Sequence, residues 1–574
     1  MPYEINRLLT VEEKNNLSHF SDILAHLLFH RGLTTNHEAN DFINPDYDLH
    51  SFDPFLLKDA EKSADRIIQA IKNNQKIAIY SDYDADGIPG ATILSDFFNR
   101  INYKNYIVYI PHRHNEGFGL NVEAVNNICD QGVQLIITID CGISDVSPVD
   151  VANTRGVEVI ITDHHESPTI LPKAFAIVDH KQKDCYYPDK NLCGSGVIFK
   201  LIQAILKKER FGLKDGHEKW LLDLVGLATL SDMVSLRGEN RVLAHFGLKV
   251  LRKSPRIGIR KLLQKLNINQ ANITEDDIGF MITPRINAAS RMGVPMDAYK
   301  LLSAETESDA DIYVEHLDHI NNERKGIVAS LVKEVKKTLN DRYSINVPSV
   351  IVLGNPSWRP ALLGLVANSC AEEFNRPVFL WGRDGDNAIK GSCRSTGVHV
   401  VELMKAVPNG ILTQFGGHHF SGGFGVMSDK VHYLDQHLNE AFSRIGSLYS
   451  EKEELGNIQI DKELLLNDID WQLEKEISKL APFGIDNPKP VFLFRNIAPQ
   501  NVRLFGKGHQ KEHIELTFNV KNRKISAISF FGANDDWAKH LQANQNIDMI
   551  ASIEKSFFRG RNELRLRIID IKLI

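Results

Sequence analysis

Five short runs of strand formers recur between residues 76 and 179: KIAIY at 76–80, NYIVYIP at 105–111, VQLIITID at 133–140, VEVIITD at 157–163 and AFAIVD at 174–179. Helical stretches (GATILSDFFNRI, NVEAVNNICDQG and VSPVDVANTRG) separate the first four. Parallel neighbours need a crossover, and each crossover helix must bury an apolar face on the sheet. The repeat therefore predicts an α/β fold with a parallel sheet covered on both faces.

Three of these runs lead into ionisable residues. The first enters SDYDADG, with Asp82, Asp84 and Asp86 at alternate positions. The third ends at Asp140, before Cys141 and Gly142, and the fourth at Asp163, followed by His164 and His165. In open parallel sheets, ligands bind just beyond the carboxyl ends of the strands. One acid at a strand end is ordinarily a cap. Three strands delivering acids and imidazoles to one edge exceed what packing requires.

The letters D-x-D-x-D-G from Asp82 form the first half of a calcium loop, but its twelfth position is Ile93 where a bidentate glutamate is needed. A strand precedes it and a helix follows, which is the wrong setting for that loop. Two readings stay open for the stretch itself. It is a corner of some other metal site, since crowded carboxylates repel unless a cation or proton sits among them; or it is an Asx turn capping the helix. Carboxylates mixed with one or two imidazoles suit Mn²⁺ or Mg²⁺ better than zinc in a thiolate cage. Several carboxylates can hold two such ions about 3.5–4 Å apart. The apolar helix LLDLVGLATLSDMVSL carries one isolated acid near its end, Asp232, as a further contributor. Asp223, earlier in that helix, reads as a surface or capping residue.

The rest of the chain divides by pattern. Residues 1–70 form an N-terminal helical segment, and 71–305 the α/β domain just described. Residues 306–345 read as one long connecting helix, with a solvated face as the plainer alternative. The βα pattern resumes over 346–450 as a second α/β domain (SVIVLG, LLGLVANSCAEEF, PVFLWG). From 455 to 574 short strands with turn signals predict a β-barrel of the OB type. Hydrophobic residues make up 43% and charged residues 24%, as in a soluble globular chain, and no apolar run is long enough to span a bilayer. With no signal peptide evident, a cytoplasmic protein is expected. Six cysteines without C-x-x-C pairs are expected to be reduced and mostly buried. A net charge of −6 means that any nucleic-acid site must be a local basic groove.

The blocks SDYDADG, IDCGIS, ITDHHE and LATLSDMVSL resemble, in order, the four motifs of the DHH phosphoesterase family. The flanks are similar to one branch of it, the single-strand-specific 5′→3′ DNA exonucleases, over nearly the whole chain. PHRHNEGFGL, LCGSGVIFKL, GENRVL, ITPRINAASRMG and INNERK resemble further blocks of that branch. KGSCRS and FGGHHFSGGFG resemble its DHH-associated domain, and LAPFGIDNPKPVF the lead into its OB-fold. The resemblance implies Asp84, Asp86, Asp140, His164 and Asp232 as ligands of two Mn²⁺ or Mg²⁺ ions, with Asp140 bridging. Asp82 is implied as an additional ligand or its support. His165 is implied to contact the scissile phosphate or aid proton transfer, and Asp163 to orient an imidazole. The implied chemistry is attack of an activated water on a phosphodiester.

The substrate side is assigned mainly to arginines. Arg285, Arg291 and Arg394 can fork onto phosphates, with an interdomain salt bridge as the alternative for each. Arg113 and Ser392, from two of the resembling blocks, join this set. Gly417 lets backbone approach a phosphate closely, and His418 is the polar group beside it, with a structural histidine as the alternative. Phe557 and Arg559 suit stacking and phosphate neutralisation, or equally a barrel hairpin with core phenylalanines. Departures from the family pattern stand at Arg359 and Ala361 (WRPALLG for W-H-P-G-V-I-G), at Asp179-His180 for Asn-Pro, at Ser290 for glycine, and at Ser421-Gly422 for two alanines. The expected partner is single-stranded DNA, with a helicase and a single-strand-binding protein as candidate co-workers and a monomeric state. The competing functions are an oligonucleotide or cyclic-dinucleotide phosphodiesterase and a non-catalytic DNA-binding protein. Because phosphate neutralisation releases counterions, affinity for single strands should fall steeply with salt in an anisotropy titration; a flat response over a fewfold change in salt would refute a phosphate-binding groove.

Overall fold

The computed structural model describes residues 3–343, 347–383, 388–417, 419–445, 458–506, 512–520, 523–558 and 561–574. The chain forms two compact units: Ser51–Val234 with Gly238–Leu455, and Met1–His50 with Ser235–Arg237 and Gly456–Ile574.

The larger unit begins with the predicted parallel sheet. Its five strands run in the order Tyr106–Tyr109, Ile77–Ser81, Leu135–Ile139, Glu158–Thr162, Ala176–Val178, all parallel. Strands Ile77–Ser81 and Leu135–Ile139 are buried at every position, as a sheet covered on both faces demands. Ala124, Val125, Ile128 and Val149 from the crossover helices pack with Ala78, Ile136 and Val159 on one face. In sequence terms the order is 2-1-3-4-5. It places a switch point beside the first strand, where neighbouring crossovers leave on opposite faces and open a crevice. The acid-bearing loops after Ser81 and Ile139 both emerge there.

Helix Glu307–Arg342 runs 36 residues without a break, capped by Thr306, whose hydroxyl accepts the Asp309 N–H. Its first half is tied by ion pairs to the preceding helices: Lys261 to Asp311 at 3.0 Å, Lys265 to Glu315 at 2.6 Å and Arg285 to Asp318 at 2.7 Å. Its second half gives Leu331, Val335 and Leu339 to the core formed by Ile351, Leu362, Val366 and Leu380. So the connecting helix also supplies core to both domains that it joins. The second domain carries a five-stranded sheet in which Ile351–Gly354 and Val378–Arg383 pair in parallel and the other neighbours are antiparallel. Asp223 is buried rather than at the surface. Its carboxylate accepts from Ser254 at 2.6 Å and pairs with Arg256 at 2.8 Å, so it fastens its helix to the turn that follows helix Gly238–Leu251.

In the smaller unit seven strands pair in one sheet, with Ile547–Phe558 and Arg561–Leu573 as its long hairpin. Helix Asp22–Phe29 buries Leu24, Leu27 and Leu28 in the same core as Phe492, Phe494, Ile514 and Leu516. Strand Tyr3–Ile5 pairs in parallel with Ile458–Ile460. The segment read as one helical stretch, 1–70, is thus divided: its first 50 residues belong with the C-terminal strands, and helix Ala60–Lys72 packs in the larger unit. Helical periodicity shows which face is apolar, not which core receives it. All six cysteines are free and buried. Among the described residues, no helix is long and apolar enough to cross a membrane.

Candidate metal centre

Asp82, Asp84 and Asp86 follow strand Ile77–Ser81, and backbone N–H groups fix the carboxylates of Asp84 and Asp86. Asp84 accepts the N–H groups of Asp86 and Gly87 through one oxygen, at 2.8 and 3.1 Å. Asp86 is held from the other side. Its two oxygens accept the Gly194 and Ser195 N–H groups at 2.6 and 2.8 Å, at the start of helix Gly194–Lys208. A helix N-terminus favours negative charge, so this contact places and stabilises a buried acid. Only glycine fits at 194, because a Cβ there would lie 2.5 Å from Asp140 Cβ.

Asp140 itself sits at φ +61°, a left-handed conformation uncommon for an aspartate, and Met233, next to Asp232, sits at φ +58°. Such backbone persists where surrounding structure holds it, commonly at functional sites. His164 Nε2 lies 3.0 Å from Asp140 Oδ1, 3.8 Å from Asp232 Oδ2 and 3.9 Å from Asp86 Oδ2. Three overlapping groups have ligand atoms within 4.8 Å of one another: Asp82, Asp84, Asp140; Asp86, His164, Asp232; and Asp140, His164, His165. Asp140 stands in two of them.

The donor set fits divalent cations. Asp82 Oδ1 and Asp140 Oδ1 are buried with no hydrogen-bond partner; the 3.0 Å approach of His164 lacks hydrogen-bond alignment. An orphaned carboxylate oxygen in a low-dielectric site is costly, and a cation is the partner that repays it. Burial and the neighbouring acids push the carboxyls of Asp82, Asp140 and Asp232 well up, and that of Asp86 up to about 6.

The two histidines are driven apart by their surroundings. Burial and the adjacent His165 push His164 down to about 3, so it stays neutral and keeps a lone pair for a cation. Burial also opposes charge on His165, but Asp163, Asp82 and Asp232 override it and raise it to about 9. Asp163 Oδ1 lies 2.7 Å from His165 Nδ1, and its other oxygen accepts the Ile143 N–H at 2.9 Å. The imidazole is thereby oriented from behind, with Nε2 left for the pocket.

A cavity of about 250 Å³ brings Asp82, Asp84, Asp140, His164, His165 and Asp232 together with Arg113 and Arg291. Arg291 donates to the Ala361 carbonyl at 2.8 Å and has no carboxylate partner in that bond. Burial, then Arg113, Arg324 and Arg394, push its guanidinium down to about 9. A half-buried guanidinium with arginine neighbours, bonded to a carbonyl, can receive an anion. Arg285 is not part of this cluster. It pairs with Asp318 through two nitrogens and donates to the Met281 carbonyl, so the salt-bridge alternative holds for it. Arg394 lies in the second sheet, its Nη2 against Gly364, where a Cβ would come within 2.9 Å. Ser392 shares that strand, paired in register with Gly423, and Gly417 ends the next strand but one at φ +142°. His418 and Arg559 lie outside the described residues; Phe557 is placed by its backbone pairing with Asn562 alone.

Four residues that line or approach this cavity were missed by motif reading: Tyr83, Phe118, Asn287 and Arg324. Each lies inside a block already singled out, between the charged letters that drew attention. Asn287 accepts the Ala85 N–H at 2.9 Å and ties the helix Thr283–Met292 to the acidic loop.

A parallel sheet with strand-end acids and an adjacent pair of imidazoles, its ligand atoms all oxygen and nitrogen, is the arrangement of a DHH-type phosphoesterase. The family description "DHH family, N-terminal domain" matches residues 76–229, "DHHA1 domain" residues 347–444 and "RecJ OB domain" residues 460–570. The chain is 34% identical to the single-stranded-DNA-specific exonuclease RecJ of Bacillus subtilis (strain 168), over 96% of this chain and 68% of that one. It is 31% identical to the RecJ of Haemophilus influenzae, over 90% and 91%. The crystal structure of RecJ in complex with Mn²⁺ from Thermus thermophilus shares the fold, with a TM-score of 0.81 over all of this chain and 79% of that one at 24% identity. The chain belongs to the RecJ family.

The metal-free centre should lose stability as pH rises. A carboxyl whose folded pKa is raised binds its proton more tightly in the folded state, so its stabilising contribution is present at low pH. That contribution is lost between the unfolded value near 4 and the folded value, about 6 for Asp86. Melts in chelator at pH 5 and pH 8 should differ by about 1–3 kcal/mol from this source. Mn²⁺ should abolish the difference, and Asp140→Asn should shrink it. Equal pH dependence in Asp140→Asn and wild type would show that the acids do not share one field.

Proposed function

We propose that this chain is a metal-dependent exonuclease that degrades single-stranded DNA 5′→3′ to mononucleotides, in recombination and repair. The observation that carries the reading is the union, in one cavity, of acids and imidazoles suited to two divalent cations with Arg113 and Arg291, suited to phosphate. The chemistry is hydrolysis of a phosphodiester, and the cofactors are Mn²⁺ or Mg²⁺.

Asp82, Asp84, Asp86, Asp140, His164 and Asp232 would hold the ions, and Asp140 belongs to two of the three ligand groups. Ions held there would supply a nucleophilic water at neutral pH and neutralise charge on the phosphoryl group. His165, cationic and braced by Asp163, faces the non-bridging oxygens and gives its proton to the leaving oxygen. Arg291, anchored to Ala361, and Arg113, whose guanidinium lies 5.0 Å from the Tyr83 ring, hold the phosphate in register. Arg394, Ser392 and Gly417 extend the path across the second sheet. Polarity rests on the likeness to the RecJ exonucleases. A monomeric, cytoplasmic enzyme working with a helicase and a single-strand-binding protein completes the proposal. The OB domain argues against a phosphodiesterase confined to dinucleotides, since such an enzyme needs no extended strand-binding surface.

Strands labelled at either end, digested with and without Mn²⁺, test this directly. Release should begin at the 5′ end, and Asp140→Ala should lower the rate at least a thousandfold while single-strand affinity falls less than about threefold. Preference for dinucleotides, or strand binding without any release by the wild type, would overturn the reading.

A further inference from the structure

Arg113 and Phe118 line the cavity without being part of the acid and imidazole loops. They sit on the loop between strand Tyr106–Tyr109 and helix Val122–Asp130. Something must hold that loop against the metal centre, and the structure shows two clamps. At its start, Glu116 accepts from the Tyr109 hydroxyl at 2.5 Å and from the His112 N–H at 2.6 Å. At its exit, Tyr80 donates to the Gly119 carbonyl at 2.8 Å, and the Leu120 N–H donates to Asp145 Oδ2 at 2.7 Å.

Asp145 is the unexpected member. It stands immediately before helix Val146–Thr154, where an aspartate ordinarily caps its own helix by accepting from the first turn. Its side chain makes no such bond. The carboxylate instead reaches across to the loop and fills the space beside Gly119, where a Cβ would lie 2.5 Å from Asp145 Oδ2. Gly119 takes φ +78°, so both its conformation and its missing side chain are matched to that carboxylate. Burial pushes the Asp145 carboxyl up to about 6, which leaves it an anionic acceptor at neutral pH. Phe118, next along the chain, is 54% exposed and sets its ring edge-on to His165 at 5.4 Å between centroids. A cap forgone in favour of a charged bond to a loop implies that the loop's position matters more than the helix end.

We propose that Asp145 is a positioning residue for substrate: by clamping Gly119 and Leu120 it holds Arg113 and Phe118 over the metal centre. It touches neither ion nor nucleotide. This inference rests on the nuclease reading above.

The test compares Asp145→Ala and Asp145→Asn with the full-length wild type, in three readouts. Steady-state digestion of a single strand with Mn²⁺ should give a KM raised about tenfold in Asp145→Ala, with kcat within about threefold of wild type. Mn²⁺ affinity by calorimetry should be unchanged. Asp145→Asn keeps an acceptor oxygen for the Leu120 N–H and should restore KM to within about threefold. Hydrogen exchange should show residues 112–121 deprotected in Asp145→Ala and protected in Asp145→Asn. If Asp145→Ala does not fold, Gly119→Ala, which drives a methyl into the carboxylate, should give the same KM defect and deprotection. Unchanged exchange and KM in Asp145→Ala, or loss of Mn²⁺ affinity in parallel with kcat, would overturn the proposal. A wild type without nuclease activity would sink the functional reading instead, while the exchange experiment would still decide whether Asp145 holds the loop.

Discussion

Mutual repulsion among buried carboxylates is the constraint around which the larger unit is organised. Asp82, Asp84, Asp86, Asp140 and Asp232 arrive from three separate stretches of chain and share one desolvated space. Left alone, Asp82, Asp86, Asp140 and Asp232 would resist ionisation. The fold answers part of that cost with backbone: the start of helix Gly194–Lys208 gives two N–H groups to Asp86, and the acidic turn gives two to Asp84. What remains, the orphaned oxygens of Asp82 and Asp140, is left for cations. Stability has been spent to build a strong, focused negative field.

The surrounding cations obey the same logic in reverse. Arg291 is half-buried, repelled by three neighbouring arginines and bonded to a carbonyl rather than an acid. A neutralised arginine would be more stable and useless as a phosphate receptor. Arg285, a few residues away on the same helix, shows the contrast: Asp318 satisfies it, and it serves the joint between helices. The difference between the two lies in whether a carboxylate is supplied by the helix packed alongside.

How much of this was legible in the residues follows from what periodicity and spacing encode. The parallel sheet and its acidic edge could be read because strand runs and terminal acids are local signals, and the strand bounds fell within a residue or two of the expected runs. The division of the N-terminal 70 residues could not be read, because an amphipathic helix does not declare its partner. Asp223 looked superficial because an acid early in a helix usually is; only tertiary structure brings Arg256 and Ser254 to it. Arg285 and Arg291 are alike in sequence context, and a partner 33 residues downstream separates their roles. Asn287 and Phe118 went unnoticed because uncharged side chains between conspicuous arginines and glycines carry no spacing signal of their own.

Arg291 grips the second domain through the main chain of residue 361, not through any side chain there. Every amino acid offers that same carbonyl, so a change of side chain at 361 leaves the grip intact. A position so wired is free to drift in the letters while its geometry stays fixed, and alignment alone would misjudge its importance.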